Sequence, residues 1–126
     1  MVKTVLTALA IFFGLYATAQ NTYYVSTTGN NTNSGLTTTS PFLTIQYAIN
    51  TASDNDSIIL VDGNYIEQIS ITKSIVIGSQ FLLNGQQSHI ASTSLSTSNP
   101  STLINCTSNN NLKIQLVGFT IKDCPS

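Results

Sequence analysis

Few side chains in this sequence are of a type that does chemistry. His89 is the one histidine. As a general base it would need a carboxylate to orient its ring and a substrate held within reach. It falls in a polar stretch, residues 79–101, that contains no acidic residue, so it is expected to be a solvent-exposed bystander. Asp54, Asp56, Asp62 and Glu67 are the acids that cluster. Two of them could divide the acid and base roles of glycoside hydrolysis if their separation and surroundings suited those roles. Asp54 and Asp56, however, sit where a helix should end, and Asp62 precedes Gly63 in a turn sequence, positions where short carboxylates bond to nearby backbone. The cluster therefore reads as structural. A lyase would also want a Lys or Arg base beside a calcium-bound uronate, and Lys73 alone does not make that case. No catalytic, cofactor-binding or metal-binding residue is assigned, and no cofactor is expected.

Cys106 and Cys124 are the two cysteines. Passage through an oxidising compartment would permit them to pair, and two separate small core residues fit equally well. With no nearby histidine they lack the four ligands of a structural zinc. Tyr23, Tyr24, Tyr47 and Tyr65 could stack on sugar rings if several lined one groove, but a first strand, a cap helix and a turn are their expected settings, which favours packing at the cap. The sequons at Asn30, Asn55 and Asn105 would mean glycosylation only in a host with that machinery and carry no weight.

Lys3 followed by an apolar run over residues 4–15 and then Tyr16-Ala17-Thr18-Ala19 has the three-part layout of a secretory signal with its cut after Ala19. The run is short of the roughly 20 residues that span a membrane. The expected location is therefore secreted or cell-surface, with no membrane segment after cleavage. What remains suits one small domain. It carries three lysines and no arginine, too little positive charge to hold phosphates, so nucleic acid is excluded as a partner. Charged residues make up only 7% of the chain, so its polar surface must come from hydroxyls and amides.

The elements that must position these residues begin with Thr22-Tyr23-Tyr24-Val25-Ser26, which reads as a strand running into a turn-forming tract over residues 28–35. After Pro41, the residues Phe42, Ile45, Ala48, Ile49 and Ala52 form one apolar face of a helix, with Ser40 or Thr44 as its N-cap. Beyond it the pattern is β. A continuous strand, Ser57-Ile58-Ile59-Leu60-Val61, stops at Asp62-Gly63-Asn64, and an alternating strand covers residues 65–72. Short apolar strands follow at residues 75–77, 102–106, 112–117 and 119–122, with residues 79–101 as a polar insertion. A two-strand phrase thus recurs: Ile58 to Val61 with Ile69 to Ile71, Ile75 to Ile77 with Leu103 to Cys106, and Ile114 to Val117 with Phe119 to Ile121. A sandwich would need tight hairpins, and only Asn84-Gly85 offers one. Repetition favours a solenoid in which each turn covers the apolar face of the last.

Tyr23-Tyr24-Val25-Ser26, Gly29-Asn30, Asn33-Ser34-Gly35, Ser40-Pro41-Phe42, Thr44-Ile45-Gln46, Ala48-Ile49, Asp56-Ser57-Ile58 and Asp62-Gly63-Asn64-Tyr65 occur in that order. They resemble the leading segment of bacterial right-handed parallel β-helix proteins of the pectin lyase superfamily, and Gly118-Phe119-Thr120-Ile121 looks like that family's coil phrase. The resemblance implies an all-β fold, a right-handed parallel β-helix with an N-terminal amphipathic capping helix. It implies little about activity, since such folds carry lyases, hydrolases, adhesins and non-catalytic surface proteins. The family often has Asp where this chain has Asn31, which weakens a calcium site there. The expected organisation is a signal peptide over residues 1–19, a strand, polar loop and cap helix over 20–56, and the first coils of a β-helix over 57–126, continuing into further coils of a longer chain. The expected function is a non-catalytic structural or carbohydrate-contacting scaffold with an extracellular polysaccharide as partner. The alternative is the N-terminal part of a polysaccharide lyase or glycoside hydrolase whose catalytic coils lie downstream.

Overall fold

The computed structural model describes residues 18–99, 102–107 and 111–122. Most of the expected signal segment lies outside them. The described chain is mostly β-strand with few helices, an all-β arrangement in which the named strands pair only in parallel. Strands β1 (Thr22–Val25), β2 (Ser57–Leu60), β5 (Val76–Ser79) and β8 (Gln115–Val117) form one sheet in that order. Strands β3 (Gly63–Ile66), β6 (Thr93–Ser96) and β9 (Thr120–Ile121) form a second, and β4 (Ile69–Ile71) with β7 (Ile104–Cys106) a third. From β2 onward the chain visits the three sheets in rotation, which is why its strands are short and each is followed by a turn.

The registers stack like on like. Tyr23, Ile58, Ile77 and Leu116 form one column, Val25, Leu60 and Ser79 a second, Tyr65, Leu95 and Ile121 a third, and Ile69 with Ile104 a fourth. Neighbouring members of a column lie about 4.8 Å apart, the strand spacing of any sheet. Burial is complete in the middle of these columns and falls away at one end: Ile77 and Leu95 are fully buried, whereas Leu116 is 40% and Ile121 52% exposed.

At the other end lies helix α1 (Ile45–Thr51), packed against β1, β2 and β4. Ile45, Ala48 and Ile49, spaced along one helical face, are buried in the same core as Val25, Ile58 and Ile71. Thr44 is the N-cap, its hydroxyl accepting from the Tyr47 amide. The other open groups of this short helix are met from the strands that follow. Both Glu67 carboxylate oxygens accept from the Ile45 and Gln46 amides at 2.9 and 3.0 Å, and Lys73 donates to the carbonyls of Ile49, Asn50 and Ala52. A negative group at the N-terminus and a positive one at the C-terminus both oppose the helix dipole.

Three expectations about the strands need correction. The alternating stretch over residues 65–72 is two strands in different sheets, β3 and β4. The break has a reason: in a straight strand Glu67 would share the inward face with Tyr65 and Ile69, and the bend between β3 and β4 lets its carboxylate reach α1 instead. The polar insertion is in part a member of the stack: it contains the short helices α2 (Phe81–Asn84) and α3 (Ser88–Ser92) and the strand β6 of the second sheet. Leu95 is the single large apolar residue of β6, too weak a signal to mark a strand, and the buried hydroxyls beside it are matched: Ser94 donates to Asn64 Oδ1 at 2.6 Å. The third copy of the repeated phrase is out of phase, because Phe119 to Ile121 belongs with β3 and β6 rather than with β4 and β7. Asn84-Gly85 makes no hairpin; Gly85, at φ 71°, ends α2 with its amide donating to the Phe81 carbonyl.

Candidate functional site

The strand registers decide where each chemistry-bearing side chain lies. Asp56 is buried, and its two oxygens accept from the Asn21 and Ser53 amides at 2.8 and 2.7 Å. Asp54 accepts from the Ser74 amide at 2.8 Å, and Glu67 holds the start of α1. Three of the four clustered acids are thus fastened to backbone N–H groups, and both oxygens of Asp56 and of Glu67 are occupied.

Asp62 differs. It connects β2 to β3, and because Gly63 pairs with Thr93, the residue before Gly63 lies beside the end of α3. There His89 Nδ1 stands 2.6 Å from Asp62 Oδ1, with the Thr93 hydroxyl donating to the same oxygen at 3.4 Å. His89 Nε2 lies 3.1 Å from Asn84 Nδ2, and Asn84 Oδ1 accepts from the Gln86 amide at 2.9 Å. The Gln86 bond orients the Asn84 carboxamide so that its NH2 donates to Nε2, which leaves Nδ1 protonated and donating to Asp62. The imidazole is 15% exposed, so it is not the solvent-exposed bystander expected from sequence. No local signal joins residues 27 positions apart; only the β3–β6 register reveals the pair.

An aspartate orienting the Nδ1 side of a histidine is half of a general-base arrangement. Here the basic nitrogen is engaged by Asn84, and no hydroxyl or thiol of a described residue bonds to it. In this geometry the pair ties α2 and α3 to the turn between β2 and β3. Among the described residues no three His, Cys, Asp or Glu side chains come close enough to hold a metal ion.

Tyr23, Tyr47 and Tyr65 go to packing. Tyr23 stacks on Phe42 with ring centres 5.7 Å apart, and Phe42 meets Tyr47 edge-on at 4.9 Å. Tyr65 is buried, and its hydroxyl lies 2.9 Å from the Val25 carbonyl and 2.6 Å from that of Val61. Burial, followed by the negative charges of Glu67 and Asp62, holds its phenol well above the ordinary range. Asn31 is also fully engaged: Oδ1 accepts from the Leu43 and Thr44 amides, and Nδ2 donates to the Thr44 hydroxyl. Cys106 is exposed in β7, and Cys124 lies outside the described residues.

The surface of the described residues includes two open clefts. One, of about 260 Å3, is lined by Lys113, Ser74 and Gln115 among others. The second, of about 280 Å3, lies beside β4 and β7 and is lined by Gln46, Gln68, Ile69, Ser70 and Asn105. Among the described residues no helix is long and apolar enough to cross a membrane.

No curated protein and no solved structure matches the chain. A family model does: residues 27–124, from the turn after β1 to beyond β9, match the family described as Protein of unknown function (DUF1565), and the chain belongs to that family.

Proposed function

We propose that this chain is an exported scaffold, the first coils of a right-handed parallel β-helix of the pectin lyase-like kind, which contacts extracellular carbohydrate without catalysing its cleavage. Support for the architecture comes from strands that pair only in parallel, from the rotation through three sheets, and from α1 seated on one end of the stacked columns. The right hand follows from the rule that crossovers between parallel strands of one sheet turn that way. The exposed edges of β7, β8 and β9, with Leu116 and Ile121 open to solvent, suit the addition of a further coil in the same register. Export rests on the leader-like residues 1–19.

The observation that carries the non-catalytic reading is the fate of the acids. Asp54, Asp56 and Glu67 hold backbone amides, and Asp62 is joined to a histidine whose basic nitrogen is already bonded. Glycosidic cleavage needs two carboxyl groups facing one bond, and among the described residues no such pair is left. Incubating the chain with a panel of neutral and acidic polysaccharides and following release of reducing or unsaturated ends tests this; clear turnover would end it. The same open edges favour a second reading, in which further coils carry the catalytic residues of a lyase or hydrolase. Turnover only by the chain together with the continuation of its reading frame would select that one.

A further inference from the structure

Carbohydrate contact, if the reading above holds, needs a place on the surface, and one place offers suitable groups. Ser70 and Asn105 stand opposite one another in the β4–β7 register, both exposed, and Gln68 immediately precedes β4. All three line the cleft of about 280 Å3. Their side chains make no hydrogen bond to a described residue, so two carboxamides and a hydroxyl face solvent with their full capacity to donate and accept. The wall opposite is fixed. Gln46 Oε1 accepts from the Ser70 amide at 2.7 Å, while its Nε2 donates to the Ser70 carbonyl at 3.2 Å and to Asn50 Oδ1 at 2.9 Å. The Gln46 amide thereby closes the edge of β4 as another strand would, and the rim cannot swing into the cleft.

Among the described residues no ionisable side chain lines this cleft. Glu67 and Lys73, the nearby charges in sequence, are both engaged at α1. A charged ligand would be desolvated here without a counter-ion. Carboxamides, in contrast, present a donor and an acceptor side by side and match adjacent hydroxyls that must each donate and accept. The volume falls just below the ~300–1,000 Å3 of typical small-molecule sites, enough for a short stretch of sugar. The other cleft lacks these features, because Lys113 lines it and its Ser74 hydroxyl already accepts from the Lys113 amide.

We propose that the cleft beside β4 and β7 binds a neutral, hydroxyl-rich saccharide through the carboxamides of Gln68 and Asn105 and the hydroxyl of Ser70. The full chain is titrated with cello-, xylo-, manno- and malto-oligosaccharides, and with oligogalacturonate as the acidic arm, while backbone amide NMR signals are followed. At least one neutral oligosaccharide should bind, shifting the signals of Gln46, Gln68, Ser70 and Asn105. Gln68→Ala combined with Asn105→Ala, both exposed and unbonded, should weaken that binding about tenfold or more with thermal unfolding unchanged. Neutral binding that the double variant leaves intact overturns the cleft while the scaffold reading stands. Binding of oligogalacturonate alone overturns the neutral class. Binding of none overturns both the cleft and carbohydrate contact.

Discussion

Tyr65→Phe is the most informative single change, because it removes one hydroxyl and leaves the ring in its column with Leu95. The hydroxyl proton is shared between two carbonyls. Val25 O keeps a second donor, the Val61 amide at 2.8 Å, whereas Val61 O receives no other bond among the described residues. The variant therefore leaves one carbonyl at the β2–β3 corner without its donor, which costs about 1–3 kcal/mol. For a domain of this size that is a drop of roughly 5–20 °C in Tm.

The pH dependence separates this account from a loss of packing. Tyr65 in the folded chain titrates above its ordinary value because burial and two nearby carboxylates oppose the phenolate. In the unfolded chain it titrates near pH ~10. The raised folded value means that the folded state keeps its proton longer. Its stabilising contribution is therefore fully present below pH ~10 and is lost as pH rises from there toward the folded value, by about 1 kcal/mol between pH 10 and 11. Tyr65→Phe has no such proton, so other alkaline effects are common to both proteins and cancel in the difference. Urea unfolding of both at pH 8, 10 and 11 should show the stability gap narrowing by about that amount over the last step. A gap that stays constant from pH 8 to 11 would refute the assigned role of the hydroxyl.

Other consequences follow from the cap and its neighbours. Glu67→Gln removes the charge that faces the α1 dipole and leaves one oxygen for two amides, and denaturant unfolding should show a loss of about 1–2 kcal/mol. Gly35→Ala meets two obstacles, a φ of 70° and the Phe42 ring, which a Cβ would strike. A loss of about 1–3 kcal/mol is expected, with the near-ultraviolet dichroism of the Tyr23–Phe42–Tyr47 group disturbed. His89→Ala should leave global stability within about 1 kcal/mol, since the pair is partly exposed, yet speed hydrogen exchange at the amides of residues 81–92. Unchanged exchange there would mean that Asp62 does not hold α2 and α3 in place.

The parts of this fold legible in the sequence were those written in apolar residues. Ile45, Ala48 and Ile49 mark α1 by their spacing, and Ile58 to Leu60 mark β2 by continuity. Parallel strand stacking follows from repetition of such phrases. Where polar residues build a strand, the signal fails: β6 is Thr-Ser-Leu-Ser, and its burial depends on Asn64 and Asp62 arriving from a strand some thirty residues earlier. The phase error in the third repeat has the same origin, since with β6 missed the repeated phrase holds two strands and matches β9 with β4 and β7. The Asp62–His89 pair was hidden for that reason as well. In contrast, the structural role of Asp56 was readable, because a carboxylate beside a helix end has a backbone donor in its own neighbourhood, here the Ser53 amide, whereas Asp54 is fastened to the distant Ser74 amide.

Scarce charge and a short helix on one end of the stack together account for the absence of a paired acid site among the described residues. A helix as short as α1 does not hold its own against water, and seven residues leave most of its amides and carbonyls without helical partners. Placing it on the open end of a stack of strands requires those groups to be met from the first strands of the stack. Glu67 and Lys73 do this from either side of β4, and Asp56 and Asp54 fasten the chain where it leaves the helix and enters β2. With charged residues only 7% of the sequence, closing that end engages most of the acids. The solvent faces of the sheets are left with uncharged side chains, mostly hydroxyls and carboxamides, with apolar Ile66 among them. Such a surface is better suited to recognising hydroxyls than to activating water, and the proposal of a neutral-sugar scaffold rests on that contrast.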